Sequence, residues 1–158
     1  MSAVHDLLQL YREKIGTELH VGPWLTVDQE RVDGFARVTG DLQWIHTDPE
    51  RARRESPYGA TIAHGFLTLS LLPLLTESFA PGAFERHYPG MRLRVNYGLD
   101  RVRFPAPLVV GSRIRARSTV IGAEEIHGGA QIIYRITVEI EGEAKPACVA
   151  DQLFRLYP

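Results

Sequence analysis

Between His64 and Phe79 the chain carries Phe66, Leu67, Leu69, Leu71, Leu72, Leu74 and Leu75, and this run restricts the fold more than any other. Wound on a helix, these side chains leave almost no polar face, and such a helix has to be enclosed rather than lie on a surface. Pro73 falls inside the run, so the spacing predicts a kink or local break there. The run is far shorter than the ~20 residues that cross a bilayer, and it contains Thr68 and Ser70. It reads as a core helix.

The second half of the chain supplies something to enclose it. Met91, Leu93, Val95 and Tyr97 alternate with Arg92, Arg94, Asn96 and Gly98 at the strand period of two. The parity slips between Leu99 and Val102, which predicts a bulge near Asp100. Ile114, Ala116, Ser118 and Val120 form a second row, and Ile132, Tyr134, Ile136, Val138 and Ile140 a third. Gly128-Gly129 and Glu141-Gly142 mark turns, and Ala147 to Tyr157 reads as the last strand. Arg92, Arg94, Arg113, Arg115 and Arg117 occupy the alternate positions and read as the solvated face of the sheet. The expected fold class is α+β, an antiparallel sheet wrapped around a long central helix, in one domain spanning residues 1–158.

The first half reads helical. Val4, Leu7, Leu8 and Tyr11 predict a short amphipathic helix ending near Gly16, and Pro23 to Val27 a brief strand. Thr26 or Asp28 can cap a helix carrying Val32, Phe35 and Ala36 as far as Gly40. Thr47, with Pro49 and Glu50 behind it, has the pattern of a capping box for a helix to about Glu55.

Charge and cysteine usage exclude several function classes. The net charge is -1, so no global field draws the chain to nucleic acid or to a membrane. Cys148 is the one cysteine, which excludes an internal disulfide; no Cys/His set has zinc spacing, and no metal or cofactor is expected. Cys148 reads as a packed strand residue. Met1 to Asp6 lacks the pattern of a signal peptide, so a cytoplasmic location is expected. Neither a G-x-S-x-G elbow nor a Gly-rich phosphate loop occurs. His5, His20, His87 and His127 read as surface residues.

Two polar clusters interrupt this structural pattern. In Gly40-Asp41-Leu42-Gln43-Trp44-Ile45-His46, a loop can turn a carboxylate and an imidazole into one cavity, where together they can hold a water and move its protons near neutral pH. By spacing alone, Asp41 is equally readable as a turn residue and His46 as a packed one. In Ala63-His64-Gly65, at the start of the apolar helix, free backbone N–H groups and the positive end of the helix dipole face outward. A glycine there either admits a carbonyl oxygen or merely allows close packing. His64 is a third polar group beside Asp41 and His46, without any recognisable metal-ligand spacing.

Gly40-Asp41-x-x-x-Ile45-His46, followed by Tyr58-Gly59-x-x-Ile62-Ala63-His64-Gly65-Phe66, resembles the MaoC-like dehydratases, the (R)-specific enoyl-CoA hydratases of the hot-dog fold. Asn96-Tyr97-Gly98-Leu99-Asp100-Arg101-Val102-Arg103-Phe104-Pro105-Ala106-Pro107 is similar to the nodulation-protein-N-like branch. The resemblance implies a sheet around a long helix and reversible hydration of a trans-2-enoyl thioester, carried by CoA or an acyl-carrier protein. It implies Asp41 and His46 as the acid–base pair, the Gly65 N–H as oxyanion donor, and Ala63, His64 and Asn96 as substrate-binding positions. It further implies a homodimer, in keeping with the sheet edges a small sheet leaves open. Gln43-Trp44 stands where the family motif usually has Asn-Pro. A hot-dog thioesterase and a non-catalytic acyl-thioester-binding partner subunit are the rival readings.

Overall fold

The computed structural model describes residues 2–158. Its elements are α1 (Ala3–Arg12), β1 (Glu18–Val21), β2 (Leu25–Thr26), α2 (Gln29–Thr39), α3 (Trp44–Thr47), α4 (Pro49–Glu55), α5 (Gly65–Ser70), α6 (Leu72–Leu75), α7 (Ala83–His87), β3 (Leu93–Arg103), β4 (Arg113–Ile126), β5 (Gly129–Ile140) and β6 (Cys148–Tyr157). The strands form one six-stranded sheet in the order β1-β4-β5-β6-β3, with β2 also on β4, and every pairing is antiparallel.

The rows that alternate in sequence build the core. Ile114, Ala116 and Val120 of β4 and Ile132, Ile136 and Val138 of β5 are buried, and Leu7, Leu8 and Tyr11 of α1, with Leu67, Leu72 and Leu75 of α5–α6, belong to the same cluster. On the other face Arg113 pairs with Glu141, and Arg115 and Arg117 share Glu139, as expected of a solvated surface. Cys148 is buried, in agreement with its reading as a packed residue. The bulge expected near Asp100 is present: the β3–β6 register shifts between Asp100 and Arg103, and Arg101 takes a φ of 53°.

The central run is broken as Pro73 predicts. Leu71 separates α5 from α6, since the proline ring would collide with the carbonyl of Leu69 in a continuous helix. The expectation of full enclosure is corrected. Phe66 is 70% exposed and Leu74 52%. The expectation for β3 is inverted. Leu93, Val95 and Tyr97 are exposed, whereas Arg94 is half-buried with its guanidinium 4.6 Å from the centre of the Phe154 ring. Cross-strand partners share a side, and Arg94 lies opposite Leu156 and Asn96 opposite Phe154, both buried. Period alone fixes that a strand has two faces but not which of them meets the core.

Two caps are settled by hydrogen bonds. Asp28, not Thr26, caps α2 by accepting from Arg31 N at 2.9 Å. Asp48, not Thr47, caps α4 by accepting from Arg51 N at 2.9 Å, because Thr47 is already the last residue of α3.

Candidate active site

Asp41 and His46 are delivered by a sharp change of direction after α2. Gly40 ends that helix in the left-handed region at φ 80°, with its N–H on the Ala36 carbonyl at 2.9 Å. Asp41 follows, with its side chain 53% exposed. The segment expected to be a plain loop contains α3, a short helix that turns His46 inward, where it is 9% exposed. Trp44, at one of the two unusual positions, packs under the Arg51 guanidinium at 4.4 Å and ties α3 to α4.

Three imidazole and carboxylate groups converge here. The donor atoms of Asp41, His46 and His64 all lie within 4.8 Å of one another. The His46 and His64 rings stack with centroids 3.8 Å apart, and Phe35 covers His64 at 5.0 Å. His64 Nε2 donates to the backbone carbonyl of Asp41 at 3.0 Å, whereas the Asp41 carboxylate oxygen lies 3.9 Å away, beyond a hydrogen bond. His64 therefore holds the main chain of Asp41 and leaves its carboxylate directed at solvent. His46 Nδ1 donates to the Ile62 carbonyl at 2.7 Å, which fixes its tautomer and leaves Nε2 for a proton exchange. A cluster of two imidazoles and a carboxylate has the chemistry to hold a divalent cation, which the sequence spacing did not suggest.

Gln29 is a site residue that sequence reasoning missed. Its Nε2 donates to the His46 carbonyl at 2.7 Å and to Asp33 Oδ1 at 2.8 Å, while its Oε1 accepts from Thr61 at 2.6 Å. It clamps α2, α3 and the chain entering α5. As the first residue after a helix cap it carries no periodic or motif signal.

The other positions separate. Gly65 is the first residue of α5, where N–H groups have no intrahelical acceptor. A Cβ there would lie 2.9 Å from Phe104, so the glycine lets that ring pack close over the helix start. Ala63 is 6% exposed and its N–H is taken by the Leu108 carbonyl at 2.8 Å, so it supports the helix start and does not present a donor to a ligand. Asn96 sits apart on β3, lining cavities with Gln152 and Pro73.

Residues 11–143 match the family described as MaoC like domain. The chain is similar to the 3-hydroxyacyl-thioester dehydratase Z of Mycobacterium tuberculosis, at 49% identity over 97% of this chain and 95% of that protein. It is also similar to nodulation protein N of Rhizobium leguminosarum bv. viciae, at 48% identity over 87% of this chain and 83% of that protein. Among solved structures, the (R)-hydratase from A. caviae involved in PHA biosynthesis superposes with a TM-score of 0.58 at 23% identity, over 90% of this chain and 100% of that one. The MaoC-like dehydratase from Rhodospirillum rubrum gives 0.63 at 22% identity, over 87% of this chain and 90% of that one. A family match over most of the chain, and relatives near half identity over nearly its full length, leave one assignment: the chain belongs to the MaoC-like family, with its hot-dog fold.

Proposed function

We propose that the protein is a hydro-lyase acting on acyl thioesters, an (R)-specific enoyl-CoA hydratase or 3-hydroxyacyl-thioester dehydratase, with Asp41 and His46 as its acid–base pair. The observation that carries this reading is the convergence of Asp41, His46 and His64 within 4.8 Å, beside the start of α5. The full-length similarity to a 3-hydroxyacyl-thioester dehydratase supports it.

In this reading the thioester carbonyl accepts from the Gly65 N–H, and Asp41 with His46 Nε2 holds one water. The pair removes a proton from the water as its oxygen bonds to the β-carbon of the enoyl group. The electron pair moves through the α-carbon to the thioester oxygen, and the α-carbon then takes a proton on the same face. The Gly65 donor acts most when negative charge sits on that oxygen, so it favours the transition state over the substrate. His64 is a positioning residue, since it holds Asp41 through its carbonyl and stacks on His46.

Hydration of crotonyl-CoA, followed by loss of enoyl absorbance with chiral analysis of the product, tests the assignment. Asp41→Asn and His46→Gln each lower turnover by about 10²–10⁴-fold at unchanged circular dichroism. Near-normal turnover by either variant removes the mechanism.

The same reading takes the molecule as a homodimer. β3 is an edge strand with Leu93, Val95, Tyr97 and Leu99 exposed, and Phe66 and Leu74 of α5–α6 are exposed as well. An open apolar strand edge is a pairing surface, and a second copy supplies a matching edge.

A further inference from the structure

The inverted face of β3 lines a trench along the broken central helix. Three adjoining cavities share walls there. The outer one, about 330 Å³, lies between Leu69 and Tyr97, one helical turn beyond Gly65. A second, about 60 Å³, shares Pro73, Asn96 and Gln152 with it. The third, about 50 Å³, shares Thr76, Arg94 and Phe154 with the second.

Leu19, Ile136 and Phe154 give the third cavity apolar walls, but among them stand polar groups that an oily acyl tail leaves unsatisfied. Arg94 enters no ion pair among the described residues, and its guanidinium lies over the rings of Phe154 at 4.6 Å, Phe79 at 5.0 Å and Tyr88 at 5.8 Å. Ser118 interrupts the apolar row of β4, is 5% exposed, and its Oγ has no hydrogen-bond partner. His20 Nε2 is buried 3.3 Å from Glu77 without the alignment of a hydrogen bond. The Tyr88 hydroxyl, 3.0 Å from that of Tyr134, lines the same space. His87 at the rim is held below its usual value by burial and by the basic groups of Arg86, His20, Lys14 and Arg94 around it. A half-buried cation without a counter-ion and a buried hydroxyl without a partner both favour an occupant that can pair with them. The third cavity's volume of about 50 Å³ exceeds the roughly 10–15 Å³ that one water needs and leaves room for a carboxylate.

We propose that this trench selects acyl thioesters whose chain ends in a carboxylate, which Arg94 neutralises and Ser118 donates to in the third cavity. The proposal rests on the dehydratase reading and narrows its substrate class. The outer cavity begins at Leu69 and the third lies at Thr76, beyond the helix break, so the acyl group is of medium to long length.

The test compares trans-2-enoyl-CoA substrates of about eight to fourteen carbons, each methyl-ended or ω-carboxylated, with crotonyl-CoA as the short control. The wild-type protein favours the ω-carboxy substrate in kcat/KM by about tenfold or more at the best length. Arg94→Gln brings that ratio to one or below, and Ser118→Ala lowers it by a smaller factor. The ratio is taken on a single preparation, so any loss of folded enzyme cancels. Saturated ω-carboxyacyl-CoA competes with crotonyl-CoA more strongly than its methyl-ended counterpart, as a readout of binding alone. A wild-type protein that hydrates crotonyl-CoA with no carboxylate preference, in turnover or in competition, overturns this inference and leaves the dehydratase reading standing. So does an Arg94→Gln protein that keeps the preference. Failure on crotonyl-CoA and on every longer substrate overturns both.

Discussion

Gly65→Ala separates the electrostatic role of the helix start from its packing role. Gly65 is helical, so alanine meets no backbone strain there and improves helix propensity by up to about 1 kcal/mol. Against this, its Cβ would lie 2.9, 3.0 and 3.0 Å from Cε2, Cδ2 and Cζ of Phe104. Carbon atoms prefer about 3.5–4.0 Å, so the ring has to retreat by roughly 0.5–1 Å. Phe104 is 42% exposed and can move toward solvent. The two effects oppose each other, and the net change in stability stays within about 1 kcal/mol. Activity has no such compensation. A methyl group beside the Gly65 N–H blocks the approach of the thioester oxygen, and loss of one such donor costs about 10²–10³-fold in kcat. The assay is crotonyl-CoA hydration alongside a thermal melt, with Gly65→Ala/Phe104→Ala as the companion. Removing the ring relieves the contact and leaves the blocked donor, so the double variant stays slow. Wild-type kcat in Gly65→Ala, or recovery in the double variant, refutes the donor role.

Other expectations follow from burial and pairing. Burial pushes the Cys148 thiol up to about 11, so it reacts with a thiol reagent at pH 8 far more slowly in the folded protein than in urea; equal rates refute this. Burial works to raise the Glu139 carboxyl, but hydrogen bonds from Arg115 and Arg117 outweigh it and hold the group below 4.5. A depressed carboxylate stabilises the fold above its ordinary value and loses that contribution as pH falls through the folded one. Glu139→Gln therefore lowers the Tm at pH 7, and the difference from wild type closes as the pH drops below 4.5. A difference that grows with acid refutes the pairing. Tyr97→Asp places a charge on the β3 edge and shifts size-exclusion elution to the monomer, while unchanged elution excludes that edge as the dimer surface.

Much of the fold is legible in the chain because period and punctuation are local signals. The rows of β4 and β5, the bulge at Asp100 and the break before Pro73 each follow from neighbouring residues. The face of β3 was not legible. Arg94 and Leu93 alternate in either orientation, and only the tertiary pairing with Leu156 and Phe154 turns the arginine inward. At the candidate site, the motif pointed to Asp41, His46 and Gly65, but spacing could not show that His64 grips the Asp41 carbonyl instead of its carboxylate. Gln29 was invisible because its work is done through contacts distant in sequence, with His46 and Thr61.

The three phenols behind the sheet carry a consequence for the first turns of the chain. Tyr134 donates to Tyr11 at 3.0 Å and Tyr11 to the His87 carbonyl at 2.9 Å, so Tyr88 is left to donate to Tyr134. Burial raises all three hydroxyls above their ordinary value, and the row stays protonated and points one way. Its last member, Tyr11, is contributed by α1, a helix that takes no part in the sheet. Trimming the protein to begin at Glu18 would remove Tyr11 and leave the Tyr88–Tyr134 pair with one buried hydroxyl proton that has no acceptor. The amino-terminal helix is in that sense the anchor of a proton row that the sheet alone leaves unfinished.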